Sequence, residues 1–461
     1  MEMKKYDSYK DSGVEWIGEI PNHWGIKRIK HTTYVKGRIG WQGMRSDEFL
    51  EESDSYVVTG TDFKNGKVKW DTCYQVPIER YDEDPFIQLQ NDDLLITKDG
   101  TIGKIAVVKD IPKIATLNSG VFLTRPLYNS YSSEFMYWIL FSEVFKSFYD
   151  FNKSGSTIQH LYQNVFNEFK FPLPPLEEQT FINNFLDHKT AQIDTLIAKK
   201  ERFIQLLEEE RTAIINQVVT KGLPAEERLK EGLDPTVPMK DSGIEWLGEI
   251  PEHWEVKKLK LLANIQGRIG FKGYTVGDLV SEGEGALTLG AKHIDNNNKL
   301  NLANPEFISW DKYYESPEIM VKVGDILLTQ RGTLGKVVLI SEDIGEATIN
   351  PSMVILSDLK AYDYFLYYFF NSSYFKSWID FTNTATAVPM ISQGQLGNLK
   401  LVLPDVNEQK EIVNQILIST KRIDEIISKT HQEIELLKEY KTALISEVVT
   451  GKVDVRNEKL N

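Results

Sequence analysis

Two short glycine–lysine segments are the first candidates for chemistry, because backbone amides between glycines, closed by a lysine, can cradle a phosphate. They are Gly100-Thr101-Ile102-Gly103-Lys104 and Gly332-Thr333-Leu334-Gly335-Lys336. Neither completes a nucleotide-hydrolysing loop. Lys98 and Gln330 stand where the first glycine is required, and Ile105 and Val337 where the Mg²⁺-binding Ser or Thr belongs. Two readings stay open: a hairpin turn using glycine for positive φ, or amides that join Lys104 and Lys336 in contacting a phosphate backbone. The histidines (His23, His31, His160, His188, His253, His293, His431) offer no HExxH pair or other metal-ligand spacing. His23 and His253 each precede a tryptophan and read as packed or capping residues. There is no GxSxG elbow and no dinucleotide fingerprint, and Asp82-Glu83-Asp84 reads as a solvated loop rather than a two-metal cluster. Neither a catalytic residue nor a metal site is expected in this chain.

The two turns belong to a much longer repetition. DSGVEWIGEIPNHWGIKRIK, from Asp11, returns from Asp241 as DSGIEWLGEIPEHWEVKKLK, an offset of 230. Gly37-Arg38-Ile39-Gly40 returns as Gly267-Arg268-Ile269-Gly270, residues 94–104 return two positions later at 326–336, and Val218-Val219-Thr220 returns as Val448-Val449-Thr450. The chain is therefore two large copies of one unit. In each copy an aromatic-rich mixed block precedes a helical block. Apolar runs at 94–97 and 105–108 around Gly100 and Gly103 predict two strands and a turn. Residues 131–151 and 362–381, dense in aromatics, read as a helix packed on the sheet or, alternatively, as a base-stacking platform. Phe171-Pro172-Leu173-Pro174-Pro175 cannot be helical and sets up a fresh helix start, with Glu177 and Glu178 at its N-terminus.

The helical blocks carry a narrow stripe. Ile193, Ile197, Lys200, Ile204, Leu207, Arg211, Ile214 and Val218 alternate spacings of three and four, and Ile423, Ile427, Thr430, Ile434, Leu437, Lys441, Leu444 and Val448 repeat the pattern. Such a stripe is a coiled-coil seam that needs a partner helix, either the other copy or equivalent partners outside the chain. The stripe alone does not set the direction of pairing.

The 461 residues hold 53 Lys+Arg against 67 Asp+Glu, a net charge of -14, with 41% hydrophobic residues and a single cysteine, Cys73. This predicts several folded domains without a disulfide framework, and excludes a wholly disordered chain. The absence of a long apolar run and of an N-terminal hydrophobic leader predicts a cytoplasmic protein with no membrane partner. An acidic chain argues at first against nucleic acid. Yet residues 27–170 hold 18 basic and 19 acidic residues and 257–400 hold 14 and 15, so the acidity lies outside the mixed blocks, which are nearly neutral.

The lead-in DSGVEWIGEIPNHW and its second copy, the paired GT-x-GK turns, Gly155-Ser156-Thr157-Ile158-Gln159 and the segment PLPPLEEQ at 172–179, in this order and doubled at half-length, resemble the specificity (S) subunit of type I restriction-modification enzymes. The resemblance covers almost the whole chain. It implies an α+β fold with two similar globular target recognition domains, separated by two long helices that form an antiparallel coiled coil. The implied domains are an N-terminal lead-in (1–23), a first recognition domain (24–172), a central helical region (173–222), a linker with the repeated lead-in (223–253), a second recognition domain (254–402) and a C-terminal helical region (403–461). It further implies double-stranded DNA as ligand, each domain reading half of a bipartite target. Two methyltransferase subunits would dock on the helices, and restriction/translocase subunits would join through them. S-adenosylmethionine, ATP and Mg would serve those partners, with no cofactor in this chain and no catalysis by it alone. A coiled-coil scaffold binding other proteins, without DNA, is the alternative. The copies part at Ser154-Gly155-Ser156-Thr157, which becomes Thr384-Ala385-Thr386-Ala387, and at Pro175, which becomes Asp405.

If the two copies read different DNA words, positions identical between them are poor candidates for base readout. Arg38, Arg268, Lys104 and Lys336 are then scaffold or phosphate groups, and Lys98 and Arg331 join the expected phosphate contacts. Base readout is expected where the copies diverge: Lys64, Asn65, Lys67, Lys69, Gln159 and Gln163 in the first, and Lys292, Asn296, Asn297, Gln393 and Gln395 in the second.

Overall fold

The computed structural model describes the chain except residues 1–3, 39–42, 153–159, 231, 233, 246, 269, 271–272, 296, 384–387 and 459–461. It divides into two compact units, one made of residues 1–200 and 431–461 and the other of residues 201–430. Both long helices, Leu176–Lys221 and Val406–Val449, cross that division. Each unit therefore holds one mixed block and half of each helix.

In the first unit the strand entering the block, Gly25–Arg28, pairs antiparallel with the strand leaving it, Lys170–Leu173, which closes the block on itself. The main sheet runs Thr33–Gly37, Val121–Pro126, Leu94–Thr97, Ile105–Val107, Lys67–Val68, Phe63–Lys64, and a smaller sheet runs Ala115–Leu117, Ser55–Val58, Tyr74–Val76. Side chains alternate across the main sheet as the two-residue strand period requires. Leu94, Ile96, Ile105, Val107 and Phe122 pack on the helical side, while Leu95, Ala106, Val108, Val121 and Leu123 face a second core. Burial on both faces explains why these strands read as unbroken apolar runs.

The second unit repeats this plan. Glu255–Lys258 pairs with Lys400–Leu403, and Asn264–Gly267, Met353–Ser357, Ile326–Thr329 and Val337–Leu339 form the main sheet. Ile326, Leu328, Val337, Val354 and Leu356 pack on the helical side, with Leu327, Val338, Met353 and Ile355 on the other. The main sheet of the first unit ends in the hairpin Phe63–Lys64/Lys67–Val68, whose turn has Asn65 and Gly66 at φ 49° and 72°, the conformation that an Asn-Gly pair favours.

The aromatic segment forms two helices in each unit rather than one. Ser133–Phe141 and Glu143–Asn152 part at Ser142, and Asp363–Phe370 and Ser373–Thr382 part at Ser372, whose Oγ accepts from the Phe375 amide at 3.4 Å. Phe135, Trp138, Phe145 and Phe148 are buried and form the core under the sheet, while Phe151 and Phe381 at the segment ends are exposed.

The twelve apolar seam positions are all buried or half-buried: Ile193, Ile197, Ile204, Leu207, Ile214 and Val218, and Ile423, Ile427, Ile434, Leu437, Leu444 and Val448. The polar breaks supply direction. Within the first unit Lys441 Nζ meets Asp194 at 2.7 Å and Lys200 meets Glu433 at 2.5 Å, so one helix ascends as the other descends. Within the second unit Arg211 Nε meets Asp424 Oδ1 at 2.9 Å. Arg211 and Asp424 are the copies, at the 230 offset, of Lys441 and Asp194, so each unit holds the same antiparallel pair with the contributing helices exchanged. Among the described residues, no helix is long and apolar enough to cross a membrane.

Candidate nucleic-acid interface

The repeated residues build one structure twice, at the end of each main sheet. In the first unit, the turn after Leu94–Thr97 is shaped by Gly100 and Gly103 at φ 70° and 82°. Thr97 closes it: its Oγ donates to the Thr101 carbonyl at 2.6 Å and accepts from the Lys104 amide at 2.9 Å. In the second unit Gly332 and Gly335 have φ 80° and 84°, and Thr329 Oγ accepts from the Lys336 amide at 3.1 Å. Two further segments meet each turn. Lys98 accepts from the Leu161 amide and Asp99 bridges His160; Gln330 accepts from the Ile391 amide and Arg331 bridges Met390. The strand ending at Gly37, or at Gly267, lies alongside: a Cβ on Gly37 would sit 2.9 Å from the Phe122 ring, and one on Gly267 2.7 Å from the Gln393 amide. Turn, neighbouring strand end and helix-following segment thus converge on a tip in each unit.

Arg38 and Arg268, expected as scaffold or phosphate groups, are scaffold. Arg38 is 2% exposed and Arg268 5%. Arg38 donates to the Leu117 carbonyl, the Thr116 hydroxyl, the Arg80 carbonyl and Glu83. Arg268 donates to the Ile349 carbonyl and the Thr348 hydroxyl and lies 5.4 Å over the Tyr274 ring. Burial lowers the pKa of both guanidinium groups, and their donors are spent inside the fold, so neither is presented to a phosphate.

The expected lysines separate as well. Lys104 is exposed and has no ion-pair partner among the described residues, whereas Lys336 turns inward onto the carbonyls of Ile294, at 2.5 Å, and Ala291, at 3.4 Å. Lys98 is largely covered, 3.0 Å from Asp99 and 5.6 Å over the Phe122 ring, while Arg331 is exposed. Lys64 and Lys67 are exposed on the hairpin, Asn65 makes its turn, and Lys69 pairs with Asp71 at 3.3 Å. Lys292 pairs with Glu306 at 2.5 Å, and Asn297 is exposed. The glutamines serve the frame more than the surface: Gln163 donates to the Val35 carbonyl at 2.9 Å, Gln393 lies against Gly267, and Gln395 completes a capping box with Ser392. Gln159 and Asn296 lie outside the described residues.

Sequence reasoning missed the Asp99–His160 pair, in which His160 Nδ1 is hydrogen-bonded to Asp99 Oδ1, and Tyr162, whose ring lies 4.4 Å from that of His160 and is 61% exposed. It also placed Glu178 as a helix-start acid without its partners. Glu178 accepts from Trp24 at 3.0 Å and Tyr6 at 3.1 Å and binds His23 at 2.6 Å. The repeated His-Trp step was the available signal for that cluster; nothing local links Asp99 to His160.

A family model for the type I restriction modification DNA specificity domain matches residues 44–205 and again 251–436. The chain belongs to this family. Among its relatives, the type I restriction enzyme MjaVIII specificity subunit of Methanocaldococcus jannaschii is 27% identical over 452 residues, covering 95% of each chain. The Escherichia coli EcoBI specificity subunit is 27% identical over 308 residues, 66% of this chain and 62% of its own. A chain from a solved structure describing complex assembly and conformational transition of the type I R-M system shares the fold, with a TM-score of 0.60 at 15% identity over 93% of this chain and 98% of that one. The chain is thus a type I specificity subunit, and its duplicated tips belong to a DNA specificity protein.

Proposed function

We propose that each unit reads one half of a bipartite DNA target through its tip. The outer faces of the long helices dock methyltransferase subunits, through which ATP-driven restriction subunits assemble. In this reading the chain supplies the address, while S-adenosylmethionine, ATP and Mg act on the partners. The observation that carries it is one backbone tip built twice, with different side chains mounted on it. The helices support the docking role: Leu196, Phe203 and Leu206 on one, and Leu417, Ile418, Leu436 and Tyr440 on the other, are large apolar side chains 43–70% exposed outside the seam. With nearly neutral blocks, each unit alone binds weakly, and tight recognition needs both halves together.

The test is methylation sequencing of host DNA with and without the gene, which should reveal a bipartite adenine motif that depends on it. Replacing residues 24–171 with the corresponding block of a relative should rewrite one half of that motif. A change in both halves, or in neither, rejects the modular reading.

A further inference from the structure

The two tips share the residues that shape the turn. Thr97 and Thr329 close the turn, the paired glycines hold the positive φ values, and Arg38 and Arg268 brace the same threonine and carbonyl, Thr116 with Leu117 and Thr348 with Ile349. Among the side chains that differ is the pair facing each other across a backbone bridge at the tip: Asp99 with His160 in one unit, Arg331 with Met390 in the other. A frame held constant with exchanged side chains at one position is the pattern expected of a reader, because phosphate contacts position a protein while base contacts specify.

The chemistry of each pair favours a particular base. In the first unit the Asp99 carboxylate can only accept, so His160 Nδ1 carries the proton, and in the neutral imidazole Nε2 is then the lone-pair acceptor. Nε2 has no hydrogen-bond partner among the described residues, and the neighbouring Tyr162 ring is exposed. An acceptor of this kind pairs with an exocyclic amine in the major groove, N6 of adenine or N4 of cytosine. In the second unit Arg331 is exposed and has no ion-pair partner among the described residues, while Met390 opposite offers it none. A free guanidinium fork matches O6 and N7 of guanine.

We infer that the bridge pair is the specificity-determining position of each tip. The carboxylate-oriented His160 selects an amine-bearing base in one half-site, and Arg331 selects a guanine in the other. This rests on the DNA-reading tips proposed above.

The experiment is methylation mapping of a host carrying the full complex with variant chains. His160→Ala should make one position in one half-site degenerate, with discrimination falling about ten- to a hundredfold there, the worth of one good base contact. Arg331→Ala should do the same at a guanine in the other half. Asp99→Asn, which keeps the shape but frees the tautomer, should loosen the position that His160→Ala loosens, and by less. An unchanged motif, degeneracy in the wrong half, or a uniform loss of methylation at every site without a change of motif overturns the assignment. A wild-type complex that yields no bipartite motif overturns instead the reading on which it rests.

Discussion

The two units carry the same frame but pair their buried polar groups differently. In the first, Asp93, 1% exposed, is engaged by the Arg125 guanidinium through Nη2 at 2.8 Å. In the second, the equivalent Asp325 is 6% exposed and has Ser357 where the arginine would stand; its carboxylate accepts from the Lys322 amide at 2.7 Å. At the lead-in, Glu178 collects Trp24, Tyr6 and His23, whereas its copy Glu408 binds His253 at 2.8 Å, and Trp254 Nε1 and Glu408 Oε1 are buried with no hydrogen-bond partner among the described residues. Tyr6 belongs to a segment that the second copy does not repeat. It is held there by Arg456, 4.7 Å over its ring, and by the Asp454 amide donating to the Lys4 carbonyl at 2.8 Å. A duplicated fold therefore keeps the residues that shape the backbone and lets their polar neighbours drift, with stability and chemistry changing unit by unit.

Arg38→Met and Arg268→Met should break this comparison most severely, each costing roughly 3 kcal/mol because buried carbonyls and hydroxyls lose their donor. Arg38→Met also removes one of the two guanidinium partners of Glu83, the other being Arg80 at 2.7 Å. Thermal melts of both variants check this, and an unfolding midpoint unchanged for either contradicts a scaffold role.

Asp325 provides a pH test. Burial pushes its carboxyl up to about 6, with Asp358 adding to the effect, so the folded state favours the protonated form more than the unfolded chain does. That contribution is complete below the unfolded carboxyl pKa of about 4 and is lost as pH rises through about 6. Asp325→Asn should thus stabilise the protein at pH 7–8, by on the order of 2 kcal/mol, and leave it unchanged near pH 4. Burial also pushes the Asp93 carboxyl up, but the Arg125 hydrogen bond and charge oppose it, so Asp93→Asn should stabilise less at neutral pH than Asp325→Asn does. Melting curves across pH 4 to 8 distinguish the two.

The two tip lysines predict a smaller contrast. Lys104→Ala should lower the slope of log affinity against log salt by about one for every sequence tested, and Lys336→Ala should leave that slope alone while lowering stability. Equal slopes for both variants would erase the distinction between an outward and an inward lysine. Last, Lys441→Met and Arg211→Met, the two copies of the interhelix pair, should each shift stability by under about 1 kcal/mol, since the carboxylate side is half-exposed. A much larger loss in one denaturation series than in the other would show that the two units use the pair differently.

Strand positions, the glycine turns and the seam were legible because each is a local period: two for a buried strand, three and four for a helix pair. Arg38 was not legible as a buried group, since its spacing is the same whether the side chain turns to solvent or into the sheet. The lysines of the turns look identical in sequence, and only the carbonyls of Ala291 and Ile294, more than forty residues from Lys336, pull one of them inward. The aromatic segments read as single helices because Ser142 and Ser372 are unremarkable in a helical pattern until their hydroxyls cap the next turn.

By itself the sequence determined that the protein is one unit written twice, each with a sheet-and-turn block and a seam-bearing helix, because repetition and hydrophobic period are properties of the chain alone. Tertiary structure decided the direction of the helix pairing, which a heptad stripe leaves open and which Asp194 with Lys441 and Arg211 with Asp424 settle. It also brought Asp99 to His160 across sixty residues of chain. Such contacts depend on how strands stack and where a segment returns, and no local pattern of residues encodes that.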